Sequence, residues 1–146
     1  MNIFILDTNP IIAAQMQMNK HVVKMCVETA QLLSTQVNGP YKPTHIHHPC
    51  TKWTGQSSEN FQWLVEHGLA LCDEYTYRYD KIHKCKSVIE QCAKLIDKIP
   101  KGCLTPFAQA MPDEFKNNDP VIAYRNYYKS KKNFAKWTKR EIPYWW

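Results

Sequence analysis

Residues 20–35, KHVVKMCVETAQLLST, decide the fold. Val22, Val23, Cys26, Ala30 and Leu33 recur at helical spacing, while His21, Lys24, Glu28, Gln31 and Thr35 follow steps of three and four along another face. Upstream, Asp7, Thr8 and Asn9 precede Pro10, the pattern of a capped helix start with proline in the first turn. The spacing predicts helix from Pro10 to about Gln36, with a break near Asn19, ended by Asn38-Gly39-Pro40. Met1 to Leu6, apolar apart from Asn2, reads as a short extended segment.

Downstream, Ser57 or Ser58 caps a second helix whose apolar positions Phe61, Leu64, Val65, Leu69, Cys72 and Tyr75 run to about Tyr79. A third is predicted from Ile82 to Ile99, stopped by Pro100 and Gly102. Asp119-Pro120 opens a last helix predicted to reach Trp137. Residues 39–57 and 103–118 read as loop crossings, and the tail REIPYWW is too short and proline-bound to be helical. The expectation is an all-α fold: one domain, 1–146, of four or five helices with long loop crossings.

Composition narrows the function classes. The 146 residues are 44% hydrophobic and 22% charged, values of a folded globular chain. No apolar run approaches the roughly 20 residues needed to span a bilayer. The opening MNIFILDTNP lacks a basic start and carries Asp7, so an intracellular protein without a membrane partner is expected. Six cysteines without a CxxC pair predict buried free thiols. A net charge of +6 favours polyanionic partners.

Two polar stripes can carry chemistry. His21 and Glu28 lie two turns apart on one helical face, where a carboxylate can act as acid or base or stabilise positive charge on a sugar. The same stripe, with Lys24 and Gln31, also reads as the solvated face of an amphipathic helix. In the last helix Arg125, Lys129, Lys132 and Lys136 keep the same rhythm among Tyr127, Phe134 and Trp137, a pattern that suits phosphates and stacked bases. His45, His47, His48 and Cys50 invite a zinc reading, but no second ligand pair has matching spacing. Histidines bonding phosphate or backbone in a pocket loop are expected there, with no metal and no cofactor.

Over its length the chain resembles a family of small phage proteins of unsettled activity, through MNIFILDTNP, KHVVKMCVETAQLLST, HIHHPC, TPFAQAMPDEF, AYRNYY and FAKWTKREIP. It is more distantly similar to the phage pyrimidine-dimer DNA glycosylases, single all-α domains of this size. Those enzymes carry a His seven residues before the catalytic Glu, matched by His21 and Glu28. They also carry a Pro-x-Glu-Phe segment ahead of an Arg-x-x-x-Lys pair, matched by Pro112, Glu114, Phe115, Arg125 and Lys129. The resemblance implies a phage-encoded protein of the host cytoplasm that cleaves an N-glycosidic bond. Glu28 and His21 would be catalytic, and Lys24, Gln31, His45, His47, His48, Arg125, Lys129, Tyr127 and Trp137 would hold DNA or a phosphorylated nucleotide.

The family nucleophile is the α-amine of a small residue exposed by methionine removal, whereas here Asn2 follows Met1. Val27 and Gln31 stand where the family has arginines. The alternative implied by these departures is a non-catalytic anti-defence protein that sequesters a nucleotide immune signal. The enzyme reading carries one geometric expectation. The stripes of the first and last helices face each other across a cleft roofed by residues 44–53, with Arg125 paired to Glu28.

Overall fold

Four helices begin where a side chain satisfies an amide that has no partner within the helix. In a computed structural model describing residues 1–146, Asn9 accepts from the amides of Ile11 and Ile12 at the start of α1 (Pro10–Gln15). His48 does the same for Cys50 in α3 (Pro49–Gln56), Ser57 for Asn60 in α4 (Ser58–Tyr79), and Asp119 for Val121 in α6 (Pro120–Lys129). Proline fills the first helical position of α1, α3 and α6, where a missing N–H costs nothing. The other two helices are α2 (Asn19–Val37) and α5 (Cys85–Ala93). Both α2 and α4 end on a left-handed residue, Asn38 and Asp80.

The all-α expectation holds, with six α-helices rather than four or five. The added helix is α3, inside the stretch expected to be a loop, and the break at Asn19 separates α1 from α2. The third predicted helix is shorter than expected. It starts at Cys85, after an exposed Ile82, and gives way after Ala93 to a single 3₁₀ turn at Ile96–Lys98. The last helix stops at Lys129 rather than Trp137. The chain must turn there, because the Lys136 carbonyl accepts from the Asn19 amide at 2.8 Å and the Trp137 indole donates to the Met16 carbonyl at 2.8 Å. No helix is long and apolar enough to cross a membrane.

Helices α2 and α4 form the central pair, with α3 and α5 packed against both and α1 against α4. All six cysteines are free, five of them buried. Beneath the C-terminal tail, Glu74 is held between two guanidiniums. It accepts from Arg78 at 2.8 Å and, through both oxygens, from Arg140 at 2.9 Å. Arg78 also donates to the carbonyls of Gln15 and Gln17, closing the C-terminal end of α1.

The first six residues place the site. They form no strand, yet Ile3, Phe4, Ile5 and Leu6 are all buried. Because no sheet partner exists, side chains take their backbone carbonyls: Gln17 donates to Ile3 at 3.1 Å and Arg125 to Leu6 at 2.9 Å. This segment covers the face of α2 that carries His21 and Glu28.

Candidate active site

Glu28 is 7% exposed, so it does not lie on a solvated face. Its Oε1 accepts the Asn2 amide at 2.9 Å and meets the α-amine of Met1 at 3.3 Å. Its Oε2 has only the Nζ of Lys24, one turn earlier on α2, at 3.8 Å. One oxygen is therefore fixed against the chain terminus, and the other faces an exposed lysine.

The terminus reaches Glu28 because the segment bends sharply. Phe4 adopts φ 60°, a left-handed conformation that costs a bulky residue about 1–3 kcal/mol. Asn2 supports the bend: its Oδ1 accepts from the amides of Ile3 and Phe4 at 2.7 and 3.1 Å, and its Nδ2 donates to the Ala110 carbonyl at 2.8 Å. Sequence reasoning missed Asn2 and Phe4. The signal was a buried-type hexapeptide, MNIFIL, interrupted by a single polar residue.

His21 sits on the same face but has another task. Its ring stacks on Phe4 with centroids 4.3 Å apart, and its Nδ1 lies 2.8 Å from the Tyr128 hydroxyl. That hydroxyl accepts from the Met18 amide at 2.9 Å, which leaves its own proton for Nδ1 of a neutral imidazole. Burial, then the charges of Lys131 and Lys24, lower the His21 pKa to about 4. Tyr127 lies on the other side of Phe4, with the Lys131 ammonium 4.6 Å from its ring centre. Tyr127 and Lys131 thus cover the buried Phe4 with an aromatic ring and a cation.

The histidine loop divides. His48 caps α3, and its pKa is lowered by burial first, then by the N-terminal amine and His45, against the opposing charge of Glu28. His45 Nδ1 lies 2.7 Å from the Thr44 hydroxyl, and both His45 and His47 are exposed. No three His, Cys, Asp or Glu side chains converge closely enough to hold a metal ion. The Cys50 thiol is fully buried and pushed up to about 12 by that burial, so it is not a poised nucleophile.

Arg125 does not pair with Glu28. Its Nε binds the Leu6 carbonyl, its Nη1 the Tyr144 hydroxyl at 3.1 Å, and its Nη2 Asp7 at 3.5 Å. It clamps the N-terminal segment to α6 and the tail, because that segment's carbonyls need donors. Trp137 is likewise committed to the Met16 carbonyl and packs on Trp146. Lys129 is half-buried without an ion pair, and Gln31 is half-buried beyond Glu28 on α2. The structure thus brings Glu28, Lys24 and the N-terminus together, sets His48 within reach of their charge, and assigns Arg125 and Trp137 to the framework.

The pyrimidine dimer DNA glycosylase family profile matches residues 1–87, which hold the N-terminal segment, Glu28, the histidine loop and α1 to α4. No curated protein and no solved structure matches the chain.

Proposed function

The chain belongs to the pyrimidine dimer DNA glycosylase family, and from that premise we propose that it releases a base from damaged DNA by cleaving the N-glycosidic bond, with Glu28 as its catalytic carboxylate. The observation that carries this reading is the buried Glu28 with the chain's own α-amine 3.3 Å away. A carboxylate so placed can stabilise positive charge growing at the sugar C1′ as the base departs. It can also take the proton from the group that attacks C1′.

The terminal amine is the nucleophile in this reading. With Met1 retained, its nitrogen stands 3.3 Å from Glu28; with Met1 removed, the nitrogen of Asn2 at 2.9 Å becomes the amine. Either terminus leaves an amine beside the carboxylate, which supports the reading despite the large second residue. Attack forms an N–C1′ bond as the C1′–base bond breaks. The base leaves with the bonding electron pair, and Glu28 accepts the amine proton. The C1′–O4′ bond then breaks as O4′ takes that proton from Glu28, giving the protonated C1′=N imine that borohydride reduces. Lys24, Lys129 and Lys131 would hold flanking phosphates, the half-buried Tyr127 ring would receive an unstacked base, and His21 would act through the buried Phe4 as a positioning residue.

The test uses protein with an unextended N-terminus on ultraviolet-irradiated duplex DNA, with borohydride added during turnover. Base release with a DNA adduct on the terminal residue, located by mass spectrometry, is the expected result. Release without an adduct would transfer the attack to a water activated by Glu28. If irradiated DNA stays intact while nucleotides are bound and recovered unchanged, the glycosylase reading fails and sequestration of a nucleotide signal takes its place.

A further inference from the structure

A second groove runs along the neighbouring face of α2. Val27 and Val23 are exposed there, about 100° and about 140° round the helix from Glu28. A cavity of about 490 Å³ lies between Val27, Tyr41, Tyr75 and the 81–85 loop, and an adjoining one of about 230 Å³ shares Tyr75 and Lys81 and adds Val23 and Tyr79. No carboxylate lines either cavity, and neither Lys81 nor Lys84 forms an ion pair.

The walls are already fixed. His83 Nε2 donates to the Val23 carbonyl at 3.0 Å, and its Nδ1 accepts from the Cys85 amide at 3.1 Å, so one imidazole ties the loop to α2 and α5. The Thr76 hydroxyl holds the Lys81 carbonyl at 2.8 Å, just after the left-handed turn at Asp80. Tyr75 meets Tyr79 at 5.4 Å and His83 edge-on at 4.9 Å between ring centres. Ile82, 79% exposed, projects at the mouth with no packing role that explains it. Helix α5 starts in this wall and adds the positive end of its dipole to the two lysines.

We propose that this groove is a nucleoside-phosphate site, with the base lying against Tyr75 and Tyr79 and the phosphate held by Lys81 and Lys84. Aromatic faces beside unpaired cations, with no acid present, suit a planar base joined to an anion. The ligand is a free nucleotide or a nucleotide within a single DNA strand; both offer the same base and phosphate. The proposal is independent of the chemistry assigned to Glu28.

Photocrosslinking tests it with two probes, 8-azidoadenosine 5′-monophosphate and a single-stranded oligonucleotide carrying 5-bromodeoxyuridine. The expected result is added mass on the peptide holding Tyr75 and Tyr79 from at least one probe: from the first for a free nucleotide, from the oligonucleotide alone for a strand. Lys81→Glu with Lys84→Glu, both on exposed positions, should cut that labelling by about tenfold or more, while Glu28→Gln leaves it unchanged. Tyr79→Leu, which keeps apolar bulk, should lower it about fivefold. Labelling confined to other peptides, or unaffected by the lysine reversals, would overturn the proposal.

Discussion

Glu28 and Glu74 are carboxylates of similar burial, 7% and 3% exposed, in very different company. Glu74 has both oxygens committed to Arg78 and Arg140, three charge-assisted bonds between 2.8 and 2.9 Å. Glu28 has one oxygen held by the chain terminus and the other near an exposed lysine ammonium at 3.8 Å. A fully paired buried carboxylate joins elements; a half-paired one retains an oxygen for a reacting group. Burial alone separates neither, and the partners do.

Breaking each carboxylate should separate the two roles. Glu28→Gln should lower base release by about a hundredfold to ten-thousandfold while the melting temperature moves little. Full activity in that variant would remove Glu28 from the chemistry. Glu74→Ala leaves two guanidiniums facing an empty buried site and should cost about 3–5 kcal/mol in urea unfolding. Per folded molecule, base release should persist, because Glu74 bonds Arg78 and Arg140 and makes no contact with Glu28 or the chain terminus.

Acid sharpens the contrast. His21, next to the site, and His67, bonded to Pro10 and Gln17, are both held by burial at a pKa of about 4 against an ordinary 6.5. The unfolded chain binds these protons first, so the stability they provide is complete above pH 6.5 and is lost as pH falls toward 4. At pH 5 each should have lost about 2 kcal/mol. Unfolding free energies at pH 7, 6 and 5 should show this slope, and His21→Gln should remove one proton's share. An unchanged slope would mean that His21 is charged in the folded protein. The smallest effect belongs to Tyr128→Phe, which orphans the Met18 amide and should cost about 1–2 kcal/mol. Activity should fall with it as Phe4 loosens, an outcome that a purely structural Tyr128 would not give.

Local signals were the legible part of the fold. The cap-then-proline pairs at Asn9-Pro10 and Asp119-Pro120 mark α1 and α6, Ser57 marks α4, and Asn38 marks the end of α2. The same grammar stood at His48-Pro49, but a histidine cap ahead of eight residues without an apolar stripe hid α3 among loop residues. The overlong third and last helices came from extending a period past the point where tertiary contacts take the chain elsewhere. Spacing alone put Glu28 and His21 on one face of α2. The exclusion of Arg125 from that pair was not, because Leu6 and Asp7, which claim it, lie more than a hundred residues away in sequence.

By itself the sequence determined an all-α pattern of four or five helices, the caps at Asn9, Ser57 and Asp119, the basic charge and the His21–Glu28 register, all set by interactions within a few residues of chain. Only the tertiary structure decided what that register means. Covering α2 with a strandless N-terminal segment buries Glu28, brings Met1 and Asn2 onto it across 26 residues, and uses Arg125 to satisfy the carbonyls of that segment. A buried backbone without a sheet must find donors wherever the fold supplies them.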